Sequence, residues 1–130
     1  MITLKEIKDY FKDNYEWDGS ISIGKLNRDS EKSICFYQSS RRKRKIKTAG
    51  GKENRTYDFK PMSITLRYTK NADIAENNAS KIYEFLDEST FYINDKRYFI
   101  QMIYDEPISV GTDQSGVYEY IIEFDCFKEK

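Results

Sequence analysis

The sequence predicts a single α+β domain, a mainly antiparallel (mixed) sheet with two helices packed on it. Three observations predict it. Tyr118, Tyr120, Ile122, Phe124 and Cys126 fall on every second residue, with Glu119, Glu123 and Asp125 between them. That is the period of a strand with one buried and one wet face. Only two stretches carry the period of an amphipathic helix, and strand patterns separate them. The strand patterns are joined by hairpin-like links, so neighbouring strands are expected to run antiparallel. At 130 residues the chain suits one domain with one core.

Thr3 and Glu6 form a capping-box pattern, and Leu4, Ile7, Tyr10 and Phe11 share one helical face. A helix over about Leu4 to Lys12 follows. Asp13-Asn14 ends it, Trp17 is expected to pack against the helix end, and Asp18-Gly19 signals a turn. Ile21 and Ile23 alternate with serines, so 20–26 reads as a strand. After a polar turn, Ser33 to Gln38 reads as a second strand, dense enough in apolar residues to be buried on both faces. The pair is expected to form a hairpin with a loop longer than the tightest kinds.

The third strand region runs from Thr56 to Tyr68. Tyr57 and Phe59 alternate, and Met62, Ile64, Leu66 and Tyr68 resume the pattern. Pro61 cannot donate to a ladder and is expected to mark an edge, a bulge or a strand start. Asn71 or Asp73 caps a helix over about 73–87, striped by Ala75, Ala79, Ile82, Tyr83 and Leu86. The small Ala72, Ala75 and Ala79 let its first turns approach the sheet. Phe91–Ile93 and Arg97–Tyr104 read as strands on either side of an Asn94-Asp95 turn. Gly111, Asp113, Ser115 and Gly116 make a turn-rich loop before the last strand. That strand has the longest clean alternation and is placed centrally.

Net charge is zero, yet it is unevenly spread. Residues 41–60 hold nine Lys/Arg against two Asp/Glu, whereas 73–130 hold five against thirteen. The stretch at about 39–55 is almost devoid of apolar residues and carries Arg41, Arg42, Lys43, Arg44, Lys45 and Lys47. It cannot bury enough surface to offset its ordering entropy, so an exposed loop, mobile in the free protein, is expected. Three roles stay open for it: a solvated loop, a loop that orders on a protein partner such as the acidic half of another copy, or a contact to DNA phosphates. The run has no interleaved aromatics, so stacking on single strands is not indicated.

The chain has no histidine, which removes Ser-His-Asp and Cys-His catalysis. Two cysteines are too few for a Cys-rich zinc site. Cys35 and Cys126 lie in expected strands and read as buried thiols in a reduced compartment. Asp105 and Glu106 read as a solvated strand end, and 113–116 has too few oxygen ligands for a calcium loop. No phosphate-binding glycine motif occurs. No catalytic, metal or cofactor residue is therefore expected, and the chain is not expected to be an enzyme. No apolar run is long enough to span a membrane, and charges interrupt the N-terminus at once, unlike a signal peptide.

Pro107, Gly111, Asp113, Gly116, Tyr118, Tyr120 and Phe124 form a proline, a Gly-x-Asp-x-x-Gly loop and a Tyr-rich final strand. This pattern, with the order of helices and strands before it, resembles the minor capsid and tail terminator (tail completion, head–tail joining) proteins of long-tailed bacteriophages. The resemblance covers nearly the whole chain. It implies a non-enzymatic α+β virion protein of a phage or prophage, assembling as a homo-oligomeric ring, often a hexamer. Its implied neighbours are tail-tube and head-completion proteins, and its implied location is the virion, after assembly in the host cytoplasm. The run at 41–47 is more basic than that family suggests, so no family role passes to it. A small nucleic-acid-binding module using that run is the alternative.

Overall fold

The structure is a computed structural model that describes residues 1–39 and 57–130. The basic residues Arg41, Arg42, Lys43, Arg44, Lys45 and Lys47, and the loop expected around them, lie outside the described residues. Two helices, α1 (Leu4–Asn14) and α2 (Ala72–Leu86), accompany seven strands. The strands are β1 (Ser20–Ile23), β2 (Lys32–Gln38), β3 (Tyr57–Tyr68), β4 (Thr90–Ile93), β5 (Lys96–Met102), β6 (Ile108–Thr112) and β7 (Tyr118–Glu129). They form one mixed sheet, ordered β1-β2-β3-β7-β5-β4 and curled into a half-barrel, with β6 also paired to β7.

β7 is the spine. It pairs antiparallel with β3 along one edge, from Arg67↔Glu119 to Tyr57↔Glu129. Its other edge is shared end to end: β6 takes Tyr118 to Ile121, and β5 takes Phe124 to Lys128. The inner half of the expected alternation holds, since Tyr120, Ile122, Phe124 and Cys126 are buried, but the other face is not wet: Asp125 is 1 % exposed, and Glu119 and Glu123 are half-buried. Rows across the sheet, such as Ile34–Leu66–Tyr120 and Phe36–Ile64–Ile122, line its inner face. Both helices cover that face, α1 over β1 and β2, α2 over β3 and β7.

The helix ends follow from local chemistry. Thr3 caps α1 by accepting from the Glu6 N–H at 3.2 Å. The Glu6 carboxylate does not return to Thr3. It accepts from the Tyr98 hydroxyl at 2.8 Å, tying α1 to β5. Asn71, the first of the two candidates, caps α2 through the Ile74 N–H. Ala75, Ala79, Ile82 and Leu86 are fully buried, as the apolar stripe predicts. Asn94 and Asp95, at φ 49 and 66, make the two-residue β4–β5 turn.

Three expectations are corrected or narrowed. First, β1 and β2 are parallel, not a hairpin, with Ser20↔Ser33 through Ile23↔Phe36 in register. The chain turns at Gly24 (φ 76), and Gly24 N donates to Phe36 O at 2.9 Å, extending the parallel ladder. Because β1 is only four residues long, the return through 24–31 needs no helix. Distant groups hold that return: Arg67 Nη1 donates to Ser30 O, and Arg28 pairs with Glu119 at 2.5 Å.

Second, Pro61 marks neither a bulge nor a strand start; of the three expected settings it takes the edge, and only locally. It sits inside β3 in an unshifted register opposite Asp125 of β7, one residue beyond the last β2 pair, Gln38↔Met62. Its carbonyl accepts from Ser39 N at 3.1 Å, so its missing N–H faces the β2 flank just past Gln38. The β3–β7 ladder therefore loses nothing. Third, Ile108–Thr112 is a strand, not merely the run before a loop.

Candidate interaction surfaces

The residues that carry the phage resemblance gather in the β6–β7 hairpin. Pro107 precedes β6, and Val110 is the extra residue of a bulge between Ser109↔Tyr120 and Gly111↔Glu119, where Gly111 takes φ 87. A left-handed residue at a bulge favours glycine, since a Cβ would be strained there. Asp113 closes the turn. Its Oδ1 accepts from Ser115 N at 2.8 Å and Val117 N at 3.1 Å, and Gly116 N donates to Asp113 O at 3.0 Å. Its Oδ2 accepts from Arg67 Nε at 2.8 Å.

Arg67, only 3 % exposed, reaches across the outer face of the sheet to make that bond. Burial alone would raise the Asp113 carboxyl. The bonds from Val117 N, Arg67 and Ser115 N outweigh it and hold the group below the usual carboxylate range. Arg28 adds a 3.8 Å contact to Asp113. Tyr118 N donates to Thr69 O, while Tyr120 and Phe124 are core residues. Asp113 is thus a structural turn residue, as its sequence suggests. Its ionic latch to Arg67 is not visible in sequence, because 46 residues separate the partners.

On this latched base, β6 stands out. All five of its residues are exposed, including Ile108 (37 %) and Val110 (48 %). Among the described residues it pairs with β7 alone. Its outer backbone edge is open there, a row of N–H and C=O groups that another strand could extend.

A second surface lies at the far end of the helix-free face. Phe59, Phe127 and Phe99 sit in one register row across β3, β7 and β5, and Tyr57 flanks them. Ring centroids run 5.5 Å from Tyr57 to Phe127, 6.1 Å from Phe59 to Phe127 and 6.4 Å from Phe99 to Phe127. The sequence reading missed this row, although a signal existed. In β3 the apolar residues switch from odd to even positions across Pro61, and Phe99 and Phe127 are odd where their strands bury even positions.

Trp17 is half-buried against Tyr68, at 5.4 Å between rings, and donates from Nε1 to Ser20 O at 3.0 Å. It lines a cleft of about 1010 Å³ beside the end of α1, walled by Lys8, Lys12, Tyr15, Tyr68 and Asn78. Cys35 and Cys126 are buried and free, as expected. Cys126 lies in the core, and burial pushes its thiol up to about 12. Asp105 and Glu106 are exposed before β6. Among the described residues, no group of three or more Cys, Asp or Glu could hold a metal ion, and no helix is long and apolar enough to cross a membrane.

Comparison with protein-family models, with curated proteins and with solved structures finds no match to this chain.

Proposed function

We propose that this chain is a structural virion protein of a long-tailed phage or prophage. In this reading it is a tail terminator or minor capsid protein that joins copies of itself into a ring at the head–tail junction. The observation that carries the reading is the β6–β7 hairpin. The residues of the phage-like pattern build it, and it presents an open, wholly exposed strand on a firmly bonded base. Proteins usually blunt such edges or cover them with a partner. Head-to-tail docking of identical copies joins two different patches, and it closes into a ring when the rotation permits.

The charge distribution supports docking of this kind. The hairpin belongs to the acidic half of the chain, and the basic run at 41–47 belongs to another part of the sequence. Opposite charges on separate patches orient one copy against the next. The protein works by contact and turns over no substrate. Tail-tube and head-completion proteins are its further partners.

Light scattering on a sizing column at high protein concentration, with and without purified tail tubes, tests the reading. The expected result is a closed oligomer, or a monomer that becomes an oligomer on the tube end. A monomer that also leaves tail tubes uncapped contradicts it.

A further inference from the structure

We infer that β1 is the acceptor for β6 of a second copy, so that neighbouring subunits join by an antiparallel strand pair. This pairing rests on the ring reading and supplies the second of the two patches that head-to-tail docking needs. Among the described residues the strand path of the sheet ends at β1, which pairs with β2 alone, and at β4, which pairs with β5 alone. Either end could lengthen its ladder by one strand. Charge separates them. Residues 105–113, around β6, hold Asp105, Glu106 and Asp113 and no Lys or Arg. Residues 87–95, around β4, hold Asp87, Glu88 and Asp95, again without a cation. Residues 19–28, around β1, hold Lys25 and Arg28 and no Asp or Glu. Docking on β4 would set like charges side by side, and docking on β1 sets opposite ones.

Bonds within the chain narrow the charges to one pair of groups. Arg28 is paired with Glu119 of its own chain, so exposed Lys25 is the cation that β1 offers. Asp18, just before β1, is paired with Lys32 at 2.7 Å. Asp113 is held by Arg67, which leaves exposed Asp105 and Glu106 as the acids beside β6. The antiparallel sense is the one that brings Glu106 to Lys25. In that register Ile108 faces Ile23, Ser109 faces Ser22 and Val110 faces Ile21. Apolar meets apolar and hydroxyl meets hydroxyl along the overlap, pairs that stabilise a ladder. Ile23, Ile108 and Val110 are 39 %, 37 % and 48 % exposed in the single chain, so pairing removes apolar surface that the fold leaves in water. β1 is four residues long and β6 five. Edges this short resist indiscriminate pairing and need a matched partner.

The test is disulfide trapping of the full chain, at high concentration and on tail tubes. Ile23→Cys and Ile108→Cys are combined in one chain, oxidised and run on a non-reducing gel. Within one chain β2, β3 and β7 separate the two positions, so a bond between them links copies. Residues directly opposite in an antiparallel pair lie about 4.5–5.5 Å apart between Cα atoms, within disulfide reach. Cys35 and Cys126 are buried and stay out of the reaction. The expected result is a ladder of covalent multimers that neither single variant gives. Lys25→Glu should weaken self-association about tenfold, and adding Glu106→Lys to it should restore the wild-type level. This charge reversal decides the case if Ile23→Cys proves unstable in urea: a double variant no better than Lys25→Glu overturns the pairing. A ladder from Tyr92→Cys with Ile108→Cys, and none from Ile23→Cys with Ile108→Cys, overturns it by making β4 the acceptor, and leaves the ring reading standing. Dimers from Ile108→Cys alone overturn it too, because β6 would then pair with itself. No association in solution or on tail tubes removes the ring reading, and this pairing with it.

Discussion

The Arg67 guanidinium meets the Asp113 carboxylate at two 2.8 Å contacts, from Nε and from Nη2 to the same oxygen. The pair joins the middle of the sheet to the turn of the β6–β7 hairpin. With Asp113 side-chain exposure of 13 %, the carboxylate has little water to fall back on when Arg67 is removed, and Ser30 O loses its donor as well. Arg67→Ala is expected to lower stability by about 3 kcal/mol, measured by urea unfolding. It should also loosen the turn, read as faster amide exchange at Ser115 and Val117.

The same pair sets an acid dependence. The Asp113 carboxyl titrates below its usual range in the folded chain, so the folded state binds this proton less readily than the unfolded chain. Its stabilisation is present above the unfolded value of about 4 and is lost as pH falls through the folded value. Unfolding curves recorded from pH 7 down to pH 2 should show this loss. Asp113→Asn should be less stable at pH 7 and should flatten the acid limb.

At alkaline pH the direction reverses. Burial, and then the bond to Glu6, raises the Tyr98 phenol, and burial raises the Cys126 thiol to about 12. Both groups stabilise the fold while protonated, and that contribution falls once pH passes the unfolded thiol value of about 8.5. Native Cys126 should resist a thiol reagent at pH 8 and react fully in urea. Tyr98→Phe, which removes the bond to Glu6, is expected to cost about 1 kcal/mol and to reduce the alkaline loss.

Two glycines should respond differently to alanine. At Gly19 an added Cβ would lie 1.9 Å from the Lys32 carbonyl oxygen, so the backbone itself must move. Gly111 has open space for a Cβ, but its φ of 87 strains any other residue. Gly19→Ala is expected to cost about 3 kcal/mol and Gly111→Ala about 1 kcal/mol. Thermal unfolding of the two variants side by side checks the order.

What the sequence made legible was local or strictly periodic. Thr3 and Asn71 announce their helices because a cap acts within three residues. β7 is visible because nothing interrupts its alternation, and Asn94-Asp95 because a two-residue turn has few solutions. What stayed hidden depends on distant partners. β1 runs parallel to β2 because its return is held by Arg67 and by the pair of Arg28 with Glu119. β6 has no buried face to impose a period, and Pro107 and Gly111 disguise it as a turn. Pro61 is harmless because of which neighbour its nitrogen faces, which only the register decides. The Phe59–Phe127–Phe99 row exists only after three strands are aligned, although the odd parity of each residue was readable alone.

The open β6 edge gives the assembly reading a side-chain test. Val110→Asp places a charge on a strand that is already fully exposed, so the monomer's urea midpoint should stay within about 0.5 kcal/mol of wild type. Self-association, measured by sedimentation, should be lost. Unchanged association would show that copies meet elsewhere.

Ring formation is tested most directly by electron microscopy of the purified protein mixed with tail tubes that lack their end cap. The account predicts a ring of identical subunits seated on one tube end, absent when Val110→Asp replaces the wild type. Bare tube ends, together with particles no larger than a single 15.5 kDa chain, would contradict it.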